Sequence, residues 1–149
     1  MIAIDPGAAG GIAYTDEDGN VQAIPMPEGM TEQIEAIQML RANGHLKCIM
    51  ENVGFHMPGN SATATAKFAR HCGHLEAACY AFGISVEYVA PQKWQREAFI
   101  GLSKDKKERK AQIKEAMARR YPHLTVTLKT ADALGIYTYG IKYSASVIC

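Results

Sequence analysis

The chain has 149 residues, 48% of them hydrophobic and 21% charged, which is typical of a globular protein, and we expect a single domain over residues 1–149. No run approaches the roughly 20 apolar residues of a membrane helix and no signal peptide precedes Asp5, so the sequence excludes a membrane protein and predicts a cytoplasmic protein of a bacterium or of its phage. The net charge is only +1, and the four cysteines include no C-x-x-C pair, so we expect reduced, buried thiols.

Three short apolar segments open the chain. Ile2–Ile4, Gly10–Tyr14 and Val21–Ile24 are predicted strands, and the polar residues 15–20 are typical of a hairpin turn between the second and the third. The sequence therefore predicts a three-stranded antiparallel meander at the N-terminus.

Helices and strands then alternate along the chain. In order, the patterns predict a helix over Thr31–Ala42 with Thr31 as N-cap, a strand over Leu46–Glu51, a helix over Ser61–Phe82, a strand over Ile84–Val89, and helices over Gln92–Phe99, Lys104–Arg120 and Thr130–Gly140. A meander followed by such units predicts an α/β fold: a mixed five-stranded sheet, the meander plus parallel strands, flanked by helices. This is the RNase H-like arrangement. Actin-like ATPases share it, so topology alone does not choose between a nuclease and a phosphotransferase.

Three acidic residues occupy positions where the predicted fold would bring them together. Asp5 and Glu51 each end an apolar strand, and the ends of parallel neighbours meet at one sheet edge. Asp132 opens the last helix between small residues that allow close approach to the sheet. Each acid alone is equally typical of a turn or of a first helical turn. Together they predict a site for hard divalent ions: two Mg²⁺, with Mn²⁺ as a substitute, for phosphodiester hydrolysis, Asp5 bridging the pair.

Basic residues concentrate in one region. Eleven of the sixteen Lys and Arg residues lie between Pro91 and Lys129 with four acidic residues, a net of +7, while the rest of the chain carries −6. The region indicates either a solvated helix face or a surface for the DNA backbone, and for the second we expect contacts from Lys106, Lys107 and Lys110. Phe55 and Trp94 are candidates either for stacking on an unpaired base or for core packing.

An ordered set of motifs resembles one protein family. The set is Ile4-Asp5-Pro6-Gly7 with Gly10-Gly11, then Glu51, Pro58-Gly59, Phe68, Gly73, Gly83-Ile84, Pro91-Gln92-Lys93-Trp94, Ser103-Lys104-Asp105, Tyr121-Pro122, Ala131-Asp132-Ala133-Leu134 and Tyr139-Gly140. This order is similar to that of RuvC-like Holliday-junction resolvases, nearest to phage-encoded and chloroplast-type members, and it spans nearly the whole chain.

The resemblance implies an activity and residue roles. It implies a homodimeric, metal-dependent endodeoxyribonuclease that resolves four-way DNA junctions and takes no small-molecule cofactor. It implies that Asp5, Glu51 and Asp132 bind the metal and that Lys104 lies near the scissile phosphate. It also implies that the loop over 54–61 and the helix after it contact the junction. We therefore expect further DNA contacts from Asn60, Ser61, Lys67, Arg70 and Lys93.

One departure from the family keeps other functions open. The family has a fourth carboxylate one turn before the last acid, where this chain has Leu128 and Lys129. A catalytically weak or inactive junction-binding protein is therefore an alternative, as is an RNase H-type nuclease for RNA–DNA hybrids. An actin-like phosphotransferase is disfavoured, because that class needs a second domain and further glycine-rich phosphate loops.

Overall fold

A computed structural model describes residues 1–54 and 59–146. The five strands are β1 (Ile2–Asp5), β2 (Gly11–Thr15), β3 (Val21–Pro25), β4 (Lys47–Glu51) and β5 (Ser85–Val89). The five helices are α1 (Met30–Ala42), α2 (Ala62–Ala81), α3 (Pro91–Ala98), α4 (Lys106–Arg120) and α5 (Leu128–Ser146). None of these helices has the length and apolar character needed to cross a bilayer.

The strands form one mixed sheet in the order β3-β2-β1-β4-β5. The first three strands pair antiparallel, and β4 pairs parallel with both β1 and β5. The predicted fold class, a three-stranded meander extended by parallel strands, is confirmed. Since β1, β3, β4 and β5 all run the same way, their carboxyl ends share one sheet edge.

The sheet separates two apolar layers. Side chains alternate across a strand, so Ile2 and Ile4 of β1 pack toward α1 and α2, whereas Ala3 packs toward α3, α4 and α5. All three are fully buried. Because of this alternation, the last side chain of each strand lies on a defined face of the sheet.

Helix α5 lies unusually close to the sheet, and glycines allow it to do so. A Cβ atom on Gly11 of β2 would lie 2.6 Å from the carbonyl oxygen of Lys129, and one on Gly140 would lie 2.5 Å from Cδ1 of Ile49. Any larger side chain at these positions would push α5 away from β2 and β4. The first turn of α5, which carries Asp132, is therefore held directly against the strands.

Several helix boundaries differ from those predicted. Helix α1 follows Gly29 at the N-cap position, so the prediction of Thr31 as N-cap was wrong. Helix α4 begins at Lys106, because the side chain of Asp105 accepts a hydrogen bond from the backbone N–H of Glu108 at 2.9 Å and caps the helix there. Helix α5 extends beyond the predicted Thr130–Gly140 at both ends.

Candidate active site

Asp5 and Glu51 lie on the same face of the sheet. Ala3 of β1 pairs with Ile49 of β4, and both pack toward α5. Two residues further on, the alternation brings Asp5 and Glu51 to that face again, at the ends of neighbouring strands. Adjacent strands are only about 4.8 Å apart, so the two carboxylates are neighbours.

Burial raises the pKa of all three carboxyl groups, and repulsion by neighbouring acids adds to the rise for Asp5 and Glu51. Burial raises the pKa of Asp5 to about 8, and the charges of Glu51 and Asp132 contribute to that rise. Burial raises the pKa of Glu51 to about 7, and it also raises the pKa of Asp132. These shifts place Asp5, Glu51 and Asp132 in one electrostatic cluster, called the carboxylate cluster below.

Helix α4 supplies the cations nearest the carboxylate cluster. Nζ of Lys110 lies 3.9 Å from Oδ2 of Asp132, and its charge lowers the pKa of all three acids. Arg109 also lowers the pKa of Asp132. Its guanidinium additionally donates hydrogen bonds to the carbonyl oxygens of Ser103 and Lys104 at 3.1 and 3.0 Å. The start of α4 is thereby linked to the loop that precedes it.

Trp94 is a buried partner of Glu51. Its side chain is fully buried, and its Nε1 donates a hydrogen bond of 2.6 Å to Oε2 of Glu51. Helix α5 fits around the indole at Gly135, where a Cβ atom would lie 2.6 Å from the ring. Of the two alternatives predicted for Trp94, core packing is therefore the one that the structure has, since no base can reach the fully buried ring. Trp94 also orients a carboxylate.

The donor set fits a divalent cation. All three acids offer only oxygen, which Mg²⁺ prefers. Their pKa values stay raised although Lys110 lies nearby, because burial disfavours the charged form, and a bound cation would reverse that effect. Within the described ranges, however, no three His, Cys, Asp or Glu side chains are grouped so that they could hold a metal ion. Glu51 is hydrogen bonded to Trp94, and Asp132 pairs with Lys110. Binding of an ion therefore requires the carboxylates to move toward it.

Comparisons with known proteins identify the fold. No protein-family model matches the chain, and no curated protein matches its sequence. Among solved structures, RuvC of Thermus thermophilus aligns with a TM-score of 0.60 at 18% identity, covering 98% of this chain and 96% of that one. The chain has the RuvC fold.

Two further structures with the RuvC fold contain DNA. Thermus thermophilus RuvC in complex with a Holliday junction substrate aligns with a TM-score of 0.59 at 16% identity, covering 98% of this chain and 96% of that one. Fowlpox virus resolvase in complex with substrate Holliday junction DNA aligns with a TM-score of 0.53 at 16% identity over the full length of both chains. The predicted resemblance is thus confirmed for the fold, and the greater similarity to phage-encoded or chloroplast-type members remains a prediction.

Lys104 does not join the carboxylate cluster within this RuvC fold. It lies in the loop before α4 and lines an open groove of about 530 Å³ together with Arg96 and Arg109. Its catalytic role remains a prediction that requires the DNA to bring the phosphate to it. The carboxylate cluster instead receives Lys110, which sequence reasoning had assigned only to DNA contact.

The other predicted DNA contacts spread over several surfaces. Lys67 and Arg70 are exposed on α2, and Lys106 and Lys107 are exposed at the start of α4. Nζ of Lys93 lies 5.9 Å from the ring centroid of Tyr143, about three turns along α5 from Asp132. These contacts remain predictions.

Two more predicted contacts lie at the start of α2, and one lies outside the described residues. Ser61 caps α2, accepting a hydrogen bond from the backbone N–H of Ala64 at 3.1 Å, and Asn60 is exposed beside it. Phe55 lies outside the described residues. Contact of Asn60 and Ser61 with DNA also remains a prediction.

The sequence contained a signal for Lys110 that was not used. Ile113 and Met117 form the buried stripe of α4, and Lys110 lies one turn before Ile113 on the same side. A lysine in the register of a buried stripe faces the protein rather than solvent. Lys110 is accordingly half-buried, unlike Lys106 and Lys107.

We predict that Trp94→Phe shifts the pH dependence of activity. The indole hydrogen bond lowers the pKa of Glu51, so its loss leaves more Glu51 protonated at neutral pH. We expect cleavage of a DNA junction to fall about 10- to 100-fold at pH 7, with partial recovery at pH 9, measured as single-turnover rates from pH 6 to 9. Phe99→Leu is the control, because Phe99 packs edge-on against Trp94. If the rate of Trp94→Phe fell at the same acidic pH as that of the wild type, Trp94 would not control the ionisation of Glu51.

Proposed function

We propose that this chain is a structure-specific endodeoxyribonuclease that resolves four-way DNA junctions by metal-dependent hydrolysis of phosphodiester bonds. The observation that carries the proposal is the carboxylate cluster at one sheet edge beside the basic helix α4. The two neighbours solved with Holliday junction DNA support the choice of substrate. Its substrate would be recombining DNA or the branched genome of a phage in a bacterial host.

The carboxylate cluster is the proposed metal site. Asp5, Glu51 and Asp132 would hold Mg²⁺, two ions per site, with Mn²⁺ as a substitute. Bound there, the ions supply an activated water and stabilise the leaving oxygen of the phosphodiester. No small-molecule cofactor enters the proposal.

The surrounding side chains prepare the site for a phosphate. Trp94 fixes one oxygen of Glu51 and leaves the other to bind. Lys110 and Arg109 offset part of the negative charge, which would otherwise repel the DNA backbone. The exposed lysines of α4 then extend the positive surface away from the site, where they can neutralise further phosphates.

A catalytically weak junction-binding protein is the second candidate. Lys129 stands one turn before Asp132, where the resemblance calls for a carboxylate. Its side chain lines a cleft beside the turn that follows Asp5. The position therefore supplies no oxygen to the ions, which favours weaker metal binding.

We also propose that the chain acts as a homodimer, because a four-way junction with two equivalent strands is cut symmetrically by two sites related by a two-fold axis. Helix α2 supports this proposal. Its outer face carries exposed small residues, Ala62, Ala66, Gly73 and Ala77, with Tyr80 at the end. Such a face lets two helices approach closely. Light scattering on the purified protein measures the mass directly.

Cleavage assays separate these functions. We expect paired symmetric nicks in a mobile four-way junction with Mg²⁺, and no cutting of linear duplex of the same sequence. Tight junction binding without nicks in Mg²⁺ or Mn²⁺ would instead establish the junction-binding protein. Cutting of an RNA–DNA hybrid but not of the junction would establish an RNase H-type enzyme.

A further inference from the structure

A cleft of about 560 Å³ opens beside the turn that follows Asp5. Its walls come from the turn at Gly7, the residues after β3, helices α1 and α2, and the first turn of α5. Strands β1 and β3 both end at the sheet edge that carries the carboxylate cluster. A DNA strand lying across that edge therefore passes from the cluster directly to the cleft, which we call the flanking cleft.

Two lysines give the flanking cleft a positive rim. Lys67 reaches it from α2 and Lys129 from α5, and both are exposed. Within residues 1–54 and 59–146, neither lysine forms a salt bridge with a carboxylate. Glu28 also lines the flanking cleft, so one positive charge remains in excess. Ammonium groups that line one cleft from two helices suit the binding of a phosphate there.

The rest of the flanking cleft is larger and more apolar than a phosphate requires. Met26 and Phe68 contribute apolar surface, and a Cβ atom on Gly7 would lie 3.4 Å from the Phe68 ring. The ring thus supports the turn that carries Asp5. The volume falls in the range of roughly 300–1,000 Å³ found for small-molecule sites. A sugar and base attached to the phosphate would occupy this space and contact the apolar wall.

One wall of the flanking cleft has a fixed polar network. The Gln33 side chain donates to the carbonyl oxygen of Pro27 at 2.7 Å and lies 2.5 Å from Nε2 of His74. His71, which lines the flanking cleft, packs edge-on against His74. Nε2 of His71 is buried, and among the described residues nothing hydrogen bonds to it. The ring would have to turn toward the flanking cleft for a nucleobase to supply that hydrogen bond.

We propose that the flanking cleft binds the nucleotide next to the scissile phosphate in the cleaved strand. Lys67 and Lys129 bind its phosphate, Met26 and Phe68 contact its sugar and base, and His71 lies beside the base in the wall of the cleft. This inference rests on the proposed function, because it places the same strand across the same sheet edge. It makes the flanking cleft a determinant of the sequence preferred at the cut, and it gives Lys129 a role of its own.

Coupling between a phosphate and the two lysines tests the proposal. A set of junctions is prepared, each with a single neutral methylphosphonate in place of one phosphate, at a different position within two nucleotides of the nick. For the wild-type chain we expect one position to slow single-turnover cleavage about tenfold. In Lys67→Ala/Lys129→Ala, we expect slower cleavage of the unmodified junction and no further decrease in rate when the same methylphosphonate is present. In Lys114→Ala, a control on the exposed part of α4, the full tenfold effect persists. Equal effects in all three proteins would overturn the proposal.

The base contact has its own readout. An abasic residue at the coupled position should slow wild-type cleavage roughly fivefold to a hundredfold, in the range of lost base contacts. The same lesion placed ten nucleotides away should have no effect. An abasic site that leaves the rate unchanged at every flanking position would overturn the base-binding part.

A binding assay keeps the test independent of cleavage. If no junction is cut and the proposed function fails, fluorescence anisotropy with the labelled pentanucleotide d(TTTTT) and metal-free protein still reports on the flanking cleft. We expect Lys67→Ala/Lys129→Ala to weaken binding about tenfold more than a matched two-lysine control, Lys107→Ala/Lys114→Ala. Equal weakening in the two double variants would show that the flanking cleft does not hold the strand.

Discussion

Replacing Asp5 by asparagine should abolish junction cleavage while junction binding persists. Asp5 is half-buried at the centre of the carboxylate cluster, where both other acids act on its ionisation. Asparagine has nearly the same shape but loses the negative charge that attracts a divalent ion. We expect single-turnover cleavage to fall roughly a thousandfold or more, as when one member of a catalytic set is removed. Gel-shift affinity for the junction at pH 7 without metal should stay the same, because a carboxyl group with a pKa of about 8 carries little charge there.

Asp18→Asn is the matched control for this loss. It makes the same chemical change at an exposed residue of the β2–β3 turn, at the opposite edge of the sheet. We expect wild-type cleavage and wild-type affinity. If Asp5→Asn retained more than about a tenth of the activity with intact folding by circular dichroism, the carboxylate cluster would not be the catalytic site.

Stability of the metal-free protein should depend on pH through the same carboxylates. The pKa of Asp5 is raised from 3.8 to about 8 and that of Glu51 from 4.5 to about 7. A folded-state pKa above the unfolded value means that the folded chain holds its protons more tightly. The resulting stability is fully present below pH 4 and is lost as pH rises toward 8. Asp5→Asn/Glu51→Gln removes this dependence, and Gln still accepts the Trp94 hydrogen bond.

Urea denaturation in EDTA at several pH values measures this effect. We expect the double variant to be roughly 2 kcal/mol or more stable than the wild type at pH 8.5, with a difference that shrinks toward pH 5. Mg²⁺ at pH 8.5 should stabilise the wild type and leave the variant unchanged. A difference that is constant from pH 5 to pH 8.5 would show that these carboxyl groups ionise normally in the folded protein.

The predicted sheet and its acidic edge came from short-range patterns. Short apolar runs identified all five strands, and the two acids that end β1 and β4 were candidates because the ends of parallel strands meet. Helix ends were less predictable. Gly29 rather than Thr31 is the N-cap of α1, because a cap is determined by local backbone geometry that several neighbouring residues can satisfy.

Contacts between distant elements could not be obtained in this way. Trp94 is 43 residues from Glu51, and aromatic character alone fits both base stacking and a buried hydrogen bond. Lys110 carries the same charge as Lys106 and Lys107, yet only Lys110 lies beside Asp132. The flanking cleft combines five separate segments, so no stretch of sequence contains its pattern.

The sequence by itself determined where the strands lie and which three acids end a strand or begin a helix, because these features follow from patterns within a single segment. Only the tertiary structure decided which cation reaches the acids and which aromatic orients Glu51. It also decided that Lys129 faces the flanking cleft, although the residue stands one turn from Asp132. The physical reason is the close packing of α5 on Gly11 and Gly140, which sets the position of every side chain on that helix relative to the sheet.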